Sequence, residues 1–393
     1  MNWKQAKNVK DNLYDIPGEW LKIEYFEALN ILFRIENSLR VFVYVILKNE
    51  YQDKWKDLSI ISDDAESSTI SAIAKKRLAQ EKKYAYLGFM LNSPLLHLTS
   101  GELIRIITSN AYWRLFKNYF PGSKDIIKNK LDEISNVRNS LAHFRPIKKG
   151  DVELVKLNSI HTLQEIENTL NDFINCPNIV PTNTNERWYK EIKDLNTEEC
   201  EISFKQSKNE QWIKLILSFT APVFKISNYF FGYLCTTVNL RTDSILIDYP
   251  QIIKHAICVT EVTPSAYTEN PDEANLVKKI RFTFSRGSLE KNYAEIKTDL
   301  ENILSSISEE IALIREDNLA RGRLIEVIKG SFDLQDDKIH YYLDGQIFQT
   351  EFDEESSVEY WGSLNYSSKN FITDTDKYPW MPVEISKDYE FPF

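Results

Sequence analysis

Leu131-Asp132-Glu133-Ile134-Ser135-Asn136-Val137-Arg138-Asn139-Ser140-Leu141-Ala142-His143 is the stretch on which the reading of this chain turns. Ile126, Ile127, Leu131, Ile134, Val137 and Leu141 recur at helical spacing, which predicts a helix starting from Ser123. Pro146 stops it, because proline disfavours helix at the residue before it. Near its end stand Arg138 and His143, five positions apart, with Asn139 directly after the arginine. A guanidinium is always charged and an imidazole titrates near neutrality. Together they supply a cation for a phosphate and a general acid or base. One Arg-His spacing arises easily by coincidence, so the surrounding helices give it its weight.

Outward from that helix the first half reads as helical. Apolar residues from Tyr25 through Phe26, Leu29, Leu32, Phe33, Ile35, Leu39, Phe42 and Val43 to Ile46 place a helix over Trp20 to Leu47. A polar, basic helix is expected over Ser67 to Lys83. Thr99-Ser100-Gly101-Glu102 has the form of a capping box and opens a helix reaching Tyr119, where Pro121-Gly122 ends it. A last helix, from Ser159 to Ile174, closes an all-α bundle spanning residues 1–176. The turn-rich run from Cys176 to Asn185 is the expected boundary.

Beyond it the period changes, and residues 186–393 read as an α+β domain. Strands are expected at Glu201 to Lys205, Trp212 to Leu217, Ile253 to Val262 and Ile280 to Phe284. A long helix is expected from Ser288 to Ile328, interrupted near Arg321-Gly322. A hairpin is expected over Lys338 to Phe352, turning at Asp344-Gly345.

Composition narrows the classes. The net charge of −10 argues against a protein that coats nucleic acid. Charge is uneven, however. Ser123 to Lys149 carries seven basic residues against three acidic ones, whereas Glu351 to Phe393 carries ten acidic against three basic. Four scattered cysteines form no metal ribbon and fit a reducing compartment. Met1 to Ala6 leads into polar sequence rather than a signal peptide, and Trp212 to Leu234, broken by lysines, reads as buried strand and helix. A cytoplasmic protein with no membrane partner is expected.

With the helices placed, residues 20 to 175 resemble the HEPN superfamily. The resemblance rests on Arg138, four intervening residues and His143, on Asn139 after the arginine, and on the early helix holding Ile35-Glu36-Asn37-Ser38-Leu39-Arg40. It implies a helical bundle acting as a metal-independent endoribonuclease, without a cofactor, on an RNA substrate. It also implies a homodimer and a toxin-like or anti-phage role. Arg138, His143 and Asn139 are then the expected catalytic residues, with Glu36 and Arg40 as candidates for the same cleft.

Spacing agrees with a shared site. Five helical steps turn Arg138 and His143 about 140° apart, so one regular helix does not clamp a phosphate with both. A twofold axis would bring two copies of each into one cleft. Asn139 and His143 are an i,i+4 pair, which predicts an amide-imidazole hydrogen bond. The last-turn position favours the imidazolium. The competing expectation pairs Arg138 with a carboxylate and has His143 cap the helix, leaving a non-catalytic dimerisation or RNA-binding module.

Other candidates are weaker. Glu36 and Arg40 form an ordinary i,i+4 ion pair if they do not line the cleft. His97, His161, His255 and His340 make no metal-binding spacing. Glu295-Ile296-Lys297 resembles part of a metal-dependent nuclease motif but sits in a helical pattern. Asp243 and Asp248 flank an apolar run, as acids at strand ends commonly do. No nucleotide-binding loop occurs. The C-terminal domain is expected to hold a regulatory partner or trigger ligand, and the acidic, aromatic tail from Ser356 to Phe393 to cover the basic cleft.

Overall fold

The computed structural model describes residues 7–10, 13–15, 23–60, 68–82, 93–178, 182, 184–229, 232–262, 276–316, 321–335, 338–343 and 357–362. The chain is a mixture of helices and small antiparallel sheets. Two compact units are distinguished: the described parts of Met1–Leu47 and Lys54–Asn171 form one, and those of Lys48–Asp53 and Asp172–Tyr366 form the other.

The first unit begins with a short ribbon, β1 (Lys7–Lys10) against β2 (Leu13–Asp15). Helix α1 (Ile23–Tyr51) follows and runs four residues past its expected end at Leu47. From Val41 to Leu47 it is apolar on all sides and buried throughout, which is why its amphipathic stripe disappears there. Strands β3 (Ser59–Ile60) and β4 (Ser68–Thr69) pair and lead into α2 (Ile70–Lys82). These two small sheets correct the expectation of an all-α first half.

The predicted capping box is present. Thr99 Oγ1 accepts from the Glu102 amide at 3.3 Å while the Glu102 carboxylate accepts from the Thr99 amide at 2.7 Å, opening α3 (Ser100–Thr108). The helix expected to continue to Tyr119 breaks at Ser109, whose extended backbone separates α3 from the single turn α4 (Trp113–Phe116). The break lets Phe116, Tyr119 and Phe120 gather on Phe42, with ring centroids 5.1–6.3 Å away. Helix α5 (Lys124–Ala142) carries the motif, and α6 (Lys149–Asn175) starts ten residues before its expected start.

In the second unit α7 (Arg187–Lys193) precedes β5 (Cys200–Gln206), β6 (Trp212–Ala221), β7 (Lys225–Tyr229) and β8 (Gly232–Leu240). Among its described residues, Trp212 to Leu234 is therefore strand broken only at Pro222 to Phe224, with no helix. Two short helices, α8 (Thr242–Asp248) and α9 (Pro250–His255), come next, so the strand expected from Ile253 begins only at β9 (Cys258–Val262). β10 (Leu276–Ser285) leads into α10 (Arg286–Arg315).

The long helix does not reach Ile328, because β11 (Ile325–Gln335) has begun by then. The reversal is held by Glu310, whose carboxylate accepts from the amides of Arg323, Leu324 and Ile325 at 2.8–3.2 Å. β12 (Lys338–Leu343) pairs antiparallel with β11, Gln335 lying opposite Lys338, whereas the expected hairpin turn is at Asp344-Gly345. The latter residues lie outside the described set, as does the acidic tail beyond Gly362.

Two four-stranded antiparallel sheets result, in the orders β5-β6-β10-β9 and β12-β11-β8-β7. Alternate residues of β5, β6 and β10, such as Phe204, Leu215 and Phe282, meet the buried stripe of α10 formed by Leu289, Ile296, Leu300, Ile303, Ile307 and Ile311. Among the described residues no helix is long and apolar enough to cross a membrane.

Candidate functional site

Three helices of the first unit build the cluster around Arg138. The capping box fixes Ser100 as the first residue of α3, and its hydroxyl donates to Glu36 Oε2 at 2.6 Å. Glu36 lies on α1, one helical turn before Arg40, and the two form an ion pair. Arg138, on α5, donates from Nε to the same Oε2 of Glu36 at 3.0 Å. Arg40 is held further by the Leu98 carbonyl at 3.0 Å and the Asn37 side chain at 3.1 Å. The motif arginine and the two candidates from the early helix thus share one contact network. Ser100 and Leu98 complete it, and nothing in the sequence marked either as part of a site; Ser100 was legible only as part of a cap.

Burial pushes the Glu36 carboxyl up, but Arg40, the Ser100 hydroxyl and Arg138 outweigh it and hold the group below its ordinary value. Burial likewise draws the Arg40 guanidinium down, against the opposing pull of Glu36. One carboxylate therefore serves two guanidiniums and leaves one positive charge in excess. That charge is presented at Arg138, whose side chain is 34% exposed, while Arg40 is 11% exposed. The terminal nitrogens of Arg138 make no hydrogen bond to the described residues, so only its Nε is committed.

The end of α5 is unusual. His143 occupies the C-cap, Phe144 has φ +54°, and three amide bonds close the turn: His143 to Asn139, Phe144 to Leu141 at 2.9 Å and Arg145 to Ser140 at 2.8 Å. This is a Schellman motif with phenylalanine in the left-handed position usually given to glycine. The helix therefore ends four residues before Pro146, by its own cap rather than by the proline. Phe144 is 87% exposed, so no packing against described residues explains its strained backbone. Tyr25 pins this end to α1 by donating to the Leu141 carbonyl at 2.8 Å.

His143 and Asn139 are both exposed. The expected amide-imidazole bond between them is not made, because His143 has left the helical path at the cap. Neither side chain joins the Glu36 network through a hydrogen bond. Arg145, Lys148 and Lys149 are exposed just beyond. Chemically, the unit offers a guanidinium oriented through one nitrogen, an uncommitted imidazole and a basic surface.

The remaining candidates resolve into structural roles. Asp243 pairs with Arg241 at 2.6 Å and Asp248 with Arg323, both on a helix rather than at strand ends. Glu295 lies in α10 and contacts buried His255 at 2.9 Å, with Ile296 in the core. His97 is buried, His161 is exposed, and His340 lies on β12. Among the described residues no His, Cys, Asp and Glu side chains form a group able to hold a metal ion. Comparison with known proteins gave no matching family model, no matching curated protein and no matching solved structure.

Proposed function

We propose that this protein is a metal-independent endoribonuclease of the HEPN type, with an Arg138/His143 site completed by a second copy of the chain. The supporting observation is the division of labour on Arg138: Glu36 takes Nε and both terminal nitrogens stay available, while His143 is exposed at the C-cap of the same helix. A guanidinium so held is oriented without losing the pair of donors that match a phosphate.

In the reaction, the ribose 2′-oxygen attacks the adjacent phosphorus as the bond to the 5′-oxygen breaks. His143 takes the 2′-hydroxyl proton or delivers a proton to the departing 5′-oxygen. Arg138 neutralises the charge that builds on the phosphoryl oxygens. Asn139 is exposed and makes no hydrogen bond to His143, so it does not orient the imidazole. The products are a 2′,3′-cyclic phosphate and a 5′-hydroxyl, and DNA is inert.

Dimerisation draws support from apolar residues left exposed on two neighbouring helices. Leu29 and Phe33 on α1 and Leu154, Leu157 and Ile160 on α6 each keep a helical spacing, and Glu27 and Lys156 join the two helices at 2.5 Å. A role as a toxin-like or anti-phage effector, with a regulator acting through the second unit, rests on the resemblance. Four buried free thiols fit a reducing, cytoplasmic setting.

The test is incubation of the purified protein with total RNA in EDTA, beside His143→Ala, with analysis of the 3′ ends. Cyclic phosphates that disappear in the variant support the reading. Equal cleavage by both proteins removes His143 from the mechanism. The Glu36–Arg138 ion pair also suits a second reading, a non-catalytic module that binds RNA or dimerises. Dimerisation with RNA binding, and no cleavage under any trigger, would favour it.

A further inference from the structure

The polar face of the sheet β5-β6-β10-β9 concentrates positive charge. The strand register sets Lys205 directly opposite Lys214, Lys214 opposite Thr283, and Thr283 opposite Cys258. In the adjoining row on the same face, Arg281 lies opposite Thr260. The other face of these strands is the apolar one that meets α10. Like charges directly opposite each other across an antiparallel pair repel, so a lysine pair here lowers the stability of the sheet.

These residues line a cavity of about 120 Å³ that Phe173 and Trp361 wall on one side. That is room for several groups of water size, at roughly 30 Å³ each. No acidic residue is found among the described residues that line it. Lys214 is 7% exposed and donates to the Ile174 carbonyl at 2.6 Å, which uses one of its three donors. Lys205 makes no hydrogen bond or ion pair with the described residues. Burial, Arg281 and Lys205 all push the Lys214 ammonium down, with burial the largest influence.

We infer that this cavity is a binding site for the phosphoryl group of a small ligand, held by Lys205, Lys214 and Arg281 with the Thr260 and Thr283 hydroxyls, and flanked by Phe173 and Trp361. A phosphoryl group supplies two negative charges and several acceptors, which answers two opposed lysines and two hydroxyls at once. The aromatic wall suits an attached planar base, so a mononucleotide and inorganic phosphate share the chemistry. The site lies wholly within the second unit and does not depend on the ribonuclease reading.

Titration calorimetry of the full chain tests it, with inorganic phosphate, pyrophosphate, AMP and adenosine as probes. Phosphate-bearing probes are expected to bind and adenosine is not. Tighter binding of AMP than of phosphate identifies a nucleotide as the natural class, and equal binding identifies the free anion. Lys214→Met removes a buried contact and is prone to misfold, so the deciding variant is Lys205→Gln, which leaves every described hydrogen bond intact. It should weaken phosphate binding about tenfold while keeping the wild-type circular dichroism. No heat with any phosphate-bearing probe at millimolar concentration, or unchanged affinity in folded Lys205→Gln, overturns the assignment.

Discussion

Arg138 Nε and Glu36 Oε2 meet at 3.0 Å across 102 positions of sequence, and the same oxygen accepts the Ser100 hydroxyl. One carboxylate thereby ties α1, α3 and α5 together at the place where the motif arginine emerges. Its consequences are measurable in both stability and activity.

Glu36→Gln keeps the shape of the side chain and removes its charge. Arg40, which is nearly buried, then lacks a counter-charge, and breaking such a pair costs about 3 kcal/mol. Urea denaturation of the variant measures that loss, and a change under about 1 kcal/mol would show that the pair is solvated. RNA cleavage should fall as well, since Arg138 loses its anchor while His143 is untouched.

The pH dependence follows from the same group and from Glu102. Burial pushes Glu102 up, but its paired bonds to Arg77 at 2.7 and 2.8 Å and its cap bonds to Thr99 bring it down overall. Both carboxyls sit below the ordinary 4.5 when folded, so the unfolded chain binds protons first. Their stabilisation is complete above that value and is lost as pH falls through the lower folded values. Acid titration followed by circular dichroism should show a shallower loss in Glu36→Gln and Glu102→Gln than in the wild type.

Phe144→Gly should stabilise the protein by about 1 kcal/mol, because glycine adopts positive φ without strain. A scan of thermal unfolding reads this directly. If the exposed ring stacks on a base of the substrate, cleavage drops even as stability rises. Gains in both would show that the ring does not touch RNA.

Leu157→Lys places a charge at the centre of the exposed α6 stripe. At an exposed site the monomer should change by no more than about 0.5 kcal/mol, whereas a dimer burying that stripe should dissociate. Sedimentation velocity distinguishes the two, and cleavage should vanish with the dimer although Arg138 and His143 remain. Full activity in a monomer would end the shared-site proposal.

Local signals were legible where the residues concerned also decide the structure locally. The capping box at Thr99 and Glu102 and the stripe of α5 predict what is found, because caps and periodicity act within one or two turns. Alternation placed β5, β6 and β10 for the same reason. Reading failed where a distant group intervened. Ile325 to Ile328 has helical apolar content, yet Glu310 captures the amides of Arg323, Leu324 and Ile325 and turns the chain into β11.

The candidate cluster divides in the same way. Arg138, His143, Glu36 and Arg40 could be named from helical spacing, but no pattern links Glu36 to Arg138 or Ser100 to either. Likewise Lys205 and Lys214 are unremarkable nine positions apart, and only the β5-β6 register sets them face to face. The sequence by itself determined the α3 cap, the α5 stripe, the strands β5, β6 and β10 and the residue types available for chemistry, since those follow from neighbours along the chain. Which charges share a carboxylate and which lysines oppose each other were decided by tertiary structure, because those depend on groups brought together by packing from far along the chain.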